Sequence, residues 1–325
     1  MPRVIKKSTG VQITKRIVLS FILVFALASL FYIFITPGSA TTKADRIFNP
    51  IGRFITIISS PLGKITQEDL LDHGGDWAVV IKNLKTGEEY SLNKDQDFHS
   101  ASLYKLWVLA VAESQIQGGT LKLSDKLSAK KKDLDVALEL IPNEEAVSPT
   151  PGDPNAPSPT PSPEDTAVIS MTVGDALNQM IKVSDNYAAL LLVQKIGVKN
   201  IDAFIAQNGY TESGFGSPPT TSANDIALYL EKLYKGGFVG NEEMINLLRK
   251  QEINDRIPKY LPKGTTVAHK TGELDGAKHD AGIVFTQKGD YIIVVMSQTD
   301  NETAAAEHEA LFSRDVFNYF QGKKN

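Results

Sequence analysis

Residues 266–297 read TVAHKTGELDGAKHDAGIVFTQKGDYIIVVMS. Three β-rich runs stand out in this stretch: Thr266 to Lys270, Asp280 to Thr286 and Tyr291 to Ser297. Lys288-Gly289-Asp290 makes a turn between the last two. Short strands in direct succession, joined by tight turns, pair antiparallel. Glu302 to Phe320 follows with a helical pattern.

A matching strand region lies far upstream. Trp77 to Lys82 (WAVVIK) and Glu88 to Leu92 flank the turn Asn83-Leu84-Lys85-Thr86-Gly87, which predicts a hairpin. Between the two strand regions the sequence turns helical. Ser102 to Gln115 places Leu103, Leu106, Trp107, Leu109, Ala110 and Val111 at helical spacing. Ser170 to Asp175 opens another helix, with Thr172 and Asp175 near a capping-box arrangement. Asn186 to Ile196 and Ile201 to Gln207 end at Gly197 and Gly209, and Ser222 to Tyr234 and Asn241 to Gln251 continue the pattern. The expected fold class is α/β (α+β). One antiparallel sheet is built from both chain ends and flanked by helices, with an all-helical subdomain inserted between.

Two segments stand outside that fold. Residues 17–36, IVLSFILVFALASLFYIFIT, carry no charge and span roughly 30 Å as a helix, the hydrocarbon thickness of a bilayer. Arg3, Lys6, Lys7, Lys15 and Arg16 precede them without an acidic residue, which places residues 1–16 in the cytoplasm and the remainder outside. The alternative is a cleaved signal peptide, for which Gly38-Ser39-Ala40 offers a small-residue site, although the apolar run is longer than usual. Residues 37–71 read as a connector, and residues 72–325 as the catalytic domain. Within that domain, 142–165 is a Pro-rich insertion, with seven prolines between Pro149 and Pro163, that can neither pair in a sheet nor bury a core.

Composition narrows the function classes. The 325 residues are 42% hydrophobic, so the chain as a whole is globular, and the net charge of −4 argues against a nucleic-acid surface. The absence of cysteine excludes a disulfide scaffold, a thiolate metal site and a cysteine nucleophile. His73, His99, His269 and His308 are scattered and suggest no metal site, and no cofactor is expected.

Ser102-Leu103-Tyr104-Lys105 is an S-x-x-K at the start of a helix, where residues three apart share a face and unpaired N–H groups can meet an oxyanion. Ser91 to Lys94 and Ser128 to Lys131 also match, but the first lies in a strand and the second in a lysine run. Ser184-Asp185-Asn186 falls between helices, and Lys270-Thr271-Gly272 falls on a β-rich run, whereas the K-T-G at Lys85 reads as a hairpin turn.

These three motifs, in this order, resemble those of the penicillin-recognising serine enzymes, most closely class A β-lactamases. The hairpin ahead of Ser102, the SDNYAALLL helix and the strand–turn–strand–helix after Lys270 also fall in that family's order, and the resemblance covers roughly Gly75 to Phe320. It implies a β-lactamase/transpeptidase-like fold. It also implies that Ser102 is the nucleophile and Lys105 its neighbouring base, while the base is disputed in the family. Ser184 matches the hydroxyl that relays a proton to the leaving nitrogen. Asn186 matches the amide that holds the substrate's side-chain carbonyl. Lys270 adds positive charge beside Ser184, Thr271 supplies a hydroxyl for a substrate carboxylate, and Gly272 lets the substrate backbone lie against the strand. The N–H groups of Ser102 and Glu273 form the oxyanion hole.

One family element is missing. Efficient members carry an E-x-x-L-N loop downstream of S-D-N that aims the water for deacylation. Here Gly209 to Thr220 reads GYTESGFGSPPT, about a dozen residues shorter, with Glu212 as its one carboxylate. Acylation is therefore expected to outrun release. Lys278 and His279, across the turn from K-T-G, are further candidates for a substrate carboxylate, with His279 the more structural of the two. The expected substrate is a β-lactam. The alternatives are a D-Ala-D-Ala carboxypeptidase acting on cell-wall peptide, and a weakly catalytic penicillin-binding protein.

Overall fold

The computed structural model describes residues 60–139 and 167–323. The chain begins there with α1 (Pro61–Asp69), capped by the Ser60 hydroxyl, which accepts the Gly63 N–H at 2.9 Å. The hairpin β1 (Asp76–Asn83) and β2 (Glu89–Leu92) follows, then the two-residue strand β3 (Phe98–His99). A 3₁₀ turn, Ala101–Tyr104, leads into α2 (Lys105–Gln117). Next come β4 (Lys126–Lys130), α3 (Lys131–Glu139) and β5 (Val168–Thr172). The helices α4 (Val173–Lys182), α5 (Asn186–Ile196) and α6 (Val198–Gln207) precede β6 (Thr220–Thr221), α7 (Ala223–Tyr234) and α8 (Asn241–Leu248). The strands β7 (Thr266–Leu274), β8 (Ala277–Phe285) and β9 (Tyr291–Gln298), with α9 (Glu302–Phe320), complete the order.

The five-stranded sheet runs β2-β1-β9-β8-β7, antiparallel at every pairing. Both chain ends build it, as expected. Its central strands β1 and β9 are apolar on both faces because both faces are covered. On β9, Ile292, Val294 and Met296 enter the core shared with α2, α5 and α7, while Tyr291, Ile293 and Val295 enter the core shared with α1 and α9. β1 divides the same way, with Ala78 and Val80 on one side and Trp77, Val79 and Ile81 on the other. The continuous apolar run YIIVVM thus reports a strand buried on two sides, not a strand with a solvent face.

Several elements differ from the sequence reading. The end of the stretch read as a connector is α1, whose Leu62 and Ile65 join the core that holds Phe312 and Val316 of α9. The helix read from Ser102 opens as a 3₁₀ turn, and α2 is buried from Lys105 to Glu113, so no polar face marks it. β4 and β5 pair with each other and went unread because each is short and half exposed. The capping arrangement at α4 is present: Thr172 Oγ1 accepts the Asp175 N–H at 3.1 Å. Residues 1–59, which include the apolar run 17–36, lie outside the described residues, as do 140–166 with the Pro-rich insertion. Among the described residues, no helix is long and apolar enough to cross a membrane.

The packing of α1 and α9 on the sheet gives a direct test. Phe312 is fully buried in that core. Phe312→Ala is expected to lower stability by about 3–5 kcal/mol, read from urea denaturation, as for other large truncations in cores.

Candidate active site

The 3₁₀ turn places Ser102 and Lys105 one above the other, because residues three apart eclipse in that geometry. Ala101, immediately before Ser102, has φ +44°, a left-handed value that a residue with a Cβ seldom adopts. Ser184 has φ +59°. Each such residue costs about 1–3 kcal/mol and persists only where its surroundings fix it.

Lys105 is completely buried, and its Nζ lies 2.6 Å from Ser184 O, 2.7 Å from Asn186 Oδ1 and 3.2 Å from Ser184 Oγ. Lys270, equally buried, donates to the same Ser184 Oγ at 2.9 Å and to Thr271 O at 2.7 Å. Two lysines thus converge on one hydroxyl. Burial drops the Lys105 ammonium to about 7, with Asp185 pulling weakly the other way. Burial also pushes Lys270 well below the ordinary lysine range, and the Lys105 charge adds to that effect. An ammonium that sheds its proton near neutrality offers a lone pair, and here it stands one turn from a serine hydroxyl. Asp185 turns away to cap α5, accepting the Ala188 N–H at 2.7 Å.

Ser102, Asn186 and Glu273 line one cleft with His99, Ala101 and Tyr104. The residues singled out in the sequence therefore come together: Ser102 and Lys105 from the 3₁₀ turn and α2, Ser184 and Asn186 from the turn before α5, and Lys270 to Glu273 from the edge strand β7. Thr271 is buried beside Lys270. Gly272 has a reason of its own to lack a side chain. A Cβ there would lie 3.1 Å from His279 Cδ2 and 3.3 Å from Ala101 Cβ, so β7 touches the Ala101–Ser102 turn at this residue.

The decoy motifs separate cleanly. Ser91 and Ser128 are exposed on β2 and β4. Lys85 and Thr86 give their N–H groups to Asn83 Oδ1, at 3.0 and 2.9 Å, in an ordinary turn.

Two expectations are revised. Lys278 is ion-paired to Glu273 and Glu302, and His279 is fully buried with both ring nitrogens against backbone groups. Neither is available to a substrate carboxylate. Glu212 stands at a turn organised by Asp225, which accepts the Glu212 N–H at 2.9 Å and the Ser213 hydroxyl at 2.8 Å. Further along that loop, Phe215 meets the Tyr104 ring edge-on, at 5.5 Å and 72°.

Arg256 was missed in the sequence. It is fully buried and reaches the Glu273 carboxylate at 2.6 Å, which fixes the residue next to Gly272. Although burial raises the Glu273 carboxyl, Lys278 and Arg256 hold it below its usual range. No motif marks Arg256; a lone arginine in a loop carries no periodic signal.

The model of the β-lactamase enzyme family matches residues 61–320 of this chain. The chain belongs to that family. The β-lactamase VEB-1 of Pseudomonas aeruginosa is 20% identical over 274 residues, covering 75% of this chain and 85% of that protein. Two solved structures share the fold. PBP-A superposes with a TM-score of 0.65 at 22% identity, over 80% of this chain and 96% of that one. A β-lactamase from Sphaerobacter thermophilus superposes with a TM-score of 0.66 at 20% identity, over 81% and 98%. The fold is thus that of class A β-lactamases, with the antiparallel sheet flanked by helices.

The lysine pair yields a measurable titration. In a spectrum of lysine Nζ groups, Lys105 is expected to lose its proton near pH 7, while ordinary surface lysines hold theirs to about 10. A Lys105 midpoint near 10 would remove it as a base at neutral pH.

Proposed function

We propose that β-lactams acylate this serine hydrolase at Ser102 and that it releases the acyl group slowly. The observation that carries the first half is the convergence of buried Lys105 and Lys270 on Ser184 Oγ, beside the turn that presents Ser102. Neutral Lys105 takes the Ser102 proton as Oγ attacks the lactam carbonyl carbon. The C–N bond opens, and the proton passes through the Ser184 hydroxyl to the departing nitrogen. Lys270 keeps Ser184 Oγ oriented for that transfer and adds positive potential. Asn186 holds the acyl side-chain carbonyl, Thr271 meets the substrate carboxylate, and Gly272 lets the substrate lie along β7. The N–H groups of Ser102 and Glu273 receive the oxyanion, a contribution typically worth 10²–10³ in rate per donor. A PBP-A variant solved as an acyl-enzyme complex with penicillin G supports a β-lactam as the acylating group.

Slow release is supported by what lines the cleft. Glu273 is its one carboxylate among the described residues, and Arg256 and Lys278 already bind it. The short loop contributes no carboxylate to that lining. The same architecture suits a D-Ala-D-Ala peptide, because β7 is the edge strand of the sheet and can accept an extended backbone. The uncharged run 17–36 and the five basic residues before it support a single-pass anchor, with the catalytic domain outside the cytoplasm.

Intact-protein mass followed over time after penicillin G addition tests this reading. One adduct per chain is expected, persisting long after free drug is removed and absent in Ser102→Ala. Its rate of formation should rise with pH and level off above about 7, as Lys105 becomes neutral. Rapid return to the free mass with drug turnover would overturn slow release. An adduct on Ser102→Ala would overturn the assignment of the nucleophile.

A further inference from the structure

The turn that carries Ser102 is strained at Ala101, so something must hold it. The Ala101 N–H donates to His99 Nδ1 at 3.0 Å. The His99 backbone carbonyl lies 2.9 Å from His279 Nε2, and because a carbonyl oxygen only accepts, that nitrogen carries the proton. The His279 ring is fully buried and fastened to the sheet at its other nitrogen. Its Nδ1, without a proton when Nε2 carries it, accepts the Ser297 N–H of β9 at 3.2 Å, with Lys278 O of its own strand 2.6 Å away. Phe98 meets the same ring edge-on at 87°. The contact at Gly272 closes the arrangement, since the missing Cβ there is what lets the His279 ring and Ala101 lie against β7.

We propose that His99 and His279 are positioning residues for acylation, a two-histidine brace that fixes the Ala101–Ser102 turn to the central sheet. The brace runs from β8 and β9 through the His279 ring to the His99 carbonyl, then through the His99 ring to the Ala101 N–H. Ser102 Oγ and the Ser102 N–H both follow that turn. The inference rests on Ser102 being the nucleophile.

The chemistry of His99 points the same way. With Nδ1 accepting from Ala101, its proton sits on Nε2, which is buried and has no partner in the protein. An asparagine Oδ1 could also accept from Ala101, but it would bring two amide N–H donors to the same buried spot in place of one. The His99 ring lines the cleft beside Ser102. Burial lowers the basicity of both rings, His279 to about 4, and so favours the neutral form in which the Nδ1 of each ring accepts an N–H.

The test uses the full-length chain with a chromogenic cephalosporin in stopped flow, separating the pre-acylation binding constant from the acylation rate constant. His99→Leu removes the acceptor and is expected to slow acylation by about 10²-fold with binding changed by less than about threefold, since small misplacement of a reacting group has effects of that size. His99→Asn, whose Oδ1 stands where Nδ1 stood, should recover most of the loss. His279→Gln keeps a donor for the His99 carbonyl and should outperform His279→Leu. The inference is overturned if His99→Leu acylates at the wild-type rate, or if His99→Asn is as slow as His99→Leu. Should either leucine variant fail to fold, ring ¹⁵N shifts of the unmutated chain decide: His99 must be the Nε2–H tautomer, and an Nδ1–H tautomer overturns the brace. If the unmutated chain never labels at Ser102, the proposed function fails. In that event, hydrogen exchange at the Ala101 amide, unprotected in His99→Leu and protected in His99→Asn, still decides the brace.

Discussion

Two lysine side chains buried within reach of one serine hydroxyl are the constraint around which this molecule is arranged. Two cations that close together in a poorly screened interior repel strongly. The fold tolerates them because burial lowers the basicity of both and because acceptors are supplied for their hydrogens. Lys105 has the Ser184 carbonyl and the Asn186 amide oxygen; Lys270 has the Thr271 carbonyl. The left-handed backbone at Ser184 is part of that supply, since the same residue presents both its carbonyl and its hydroxyl to Lys105. The full burial of α2 follows as well: a helix that delivers a desolvated lysine must itself be wrapped, with the sheet on one side and the inserted helices on the other.

Much of this was legible in the residues. Turn chemistry at Lys288-Gly289-Asp290 and Gly87, together with apolar strands, gave an antiparallel sheet from both ends. The glycines at 197 and 209 ended helices where they were expected to, with φ of +84° and +71°. Ser102, Ser184 and Lys270 were picked out by spacing and by the elements that carry them. What stayed hidden lacked a local signature. Ala101 is unremarkable until its φ is known. His99, His279 and Arg256 act through partners distant in the chain, and no period or spacing connects His99 to His279. α1 was masked by a proline and by the polar residues on its solvent side; its Pro61 sits at the first helical position, where a missing N–H does no harm.

The loop between Gly209 and Thr220 separates two halves of one chemistry. Making an acyl-serine needs a base, an electropositive setting and donors for an oxyanion. Breaking it needs a water held in line and relieved of a proton. Here the loop is drawn tight: Ser100 gives its N–H to the Pro219 carbonyl at 2.9 Å, and β3 pairs with β6 directly beside the nucleophile turn. A loop spent on holding that turn, and on packing Phe215 against Tyr104, has little chain left to carry a carboxylate over the cleft. In the proposed reading, holding the Ser102 turn and placing a hydrolytic water draw on the same dozen residues.

The sheet order has a consequence for how the chain reaches this state. β1 lies between β2 and β9, with Val80 facing Leu92's neighbour Ser91 on one side and Val294 on the other. The second pairing joins segments separated by nearly the whole catalytic domain, and β7, which bears Lys270, connects to β1 only through β8 and β9. Contacts between such distant segments form late, because a large loop must close before they return any stability. The helical part, rich in near neighbours, can gather first around α2, while β1 waits with an apolar face on either side for its partner strand. Lys270 reaches Ser184 from β7, which packs on the Ser102 turn and on α8 as well as pairing with β8. The lysine pair therefore joins segments from the middle and the end of the described chain, since Lys105 and Ser184 precede the strand that bears Lys270 by more than eighty residues.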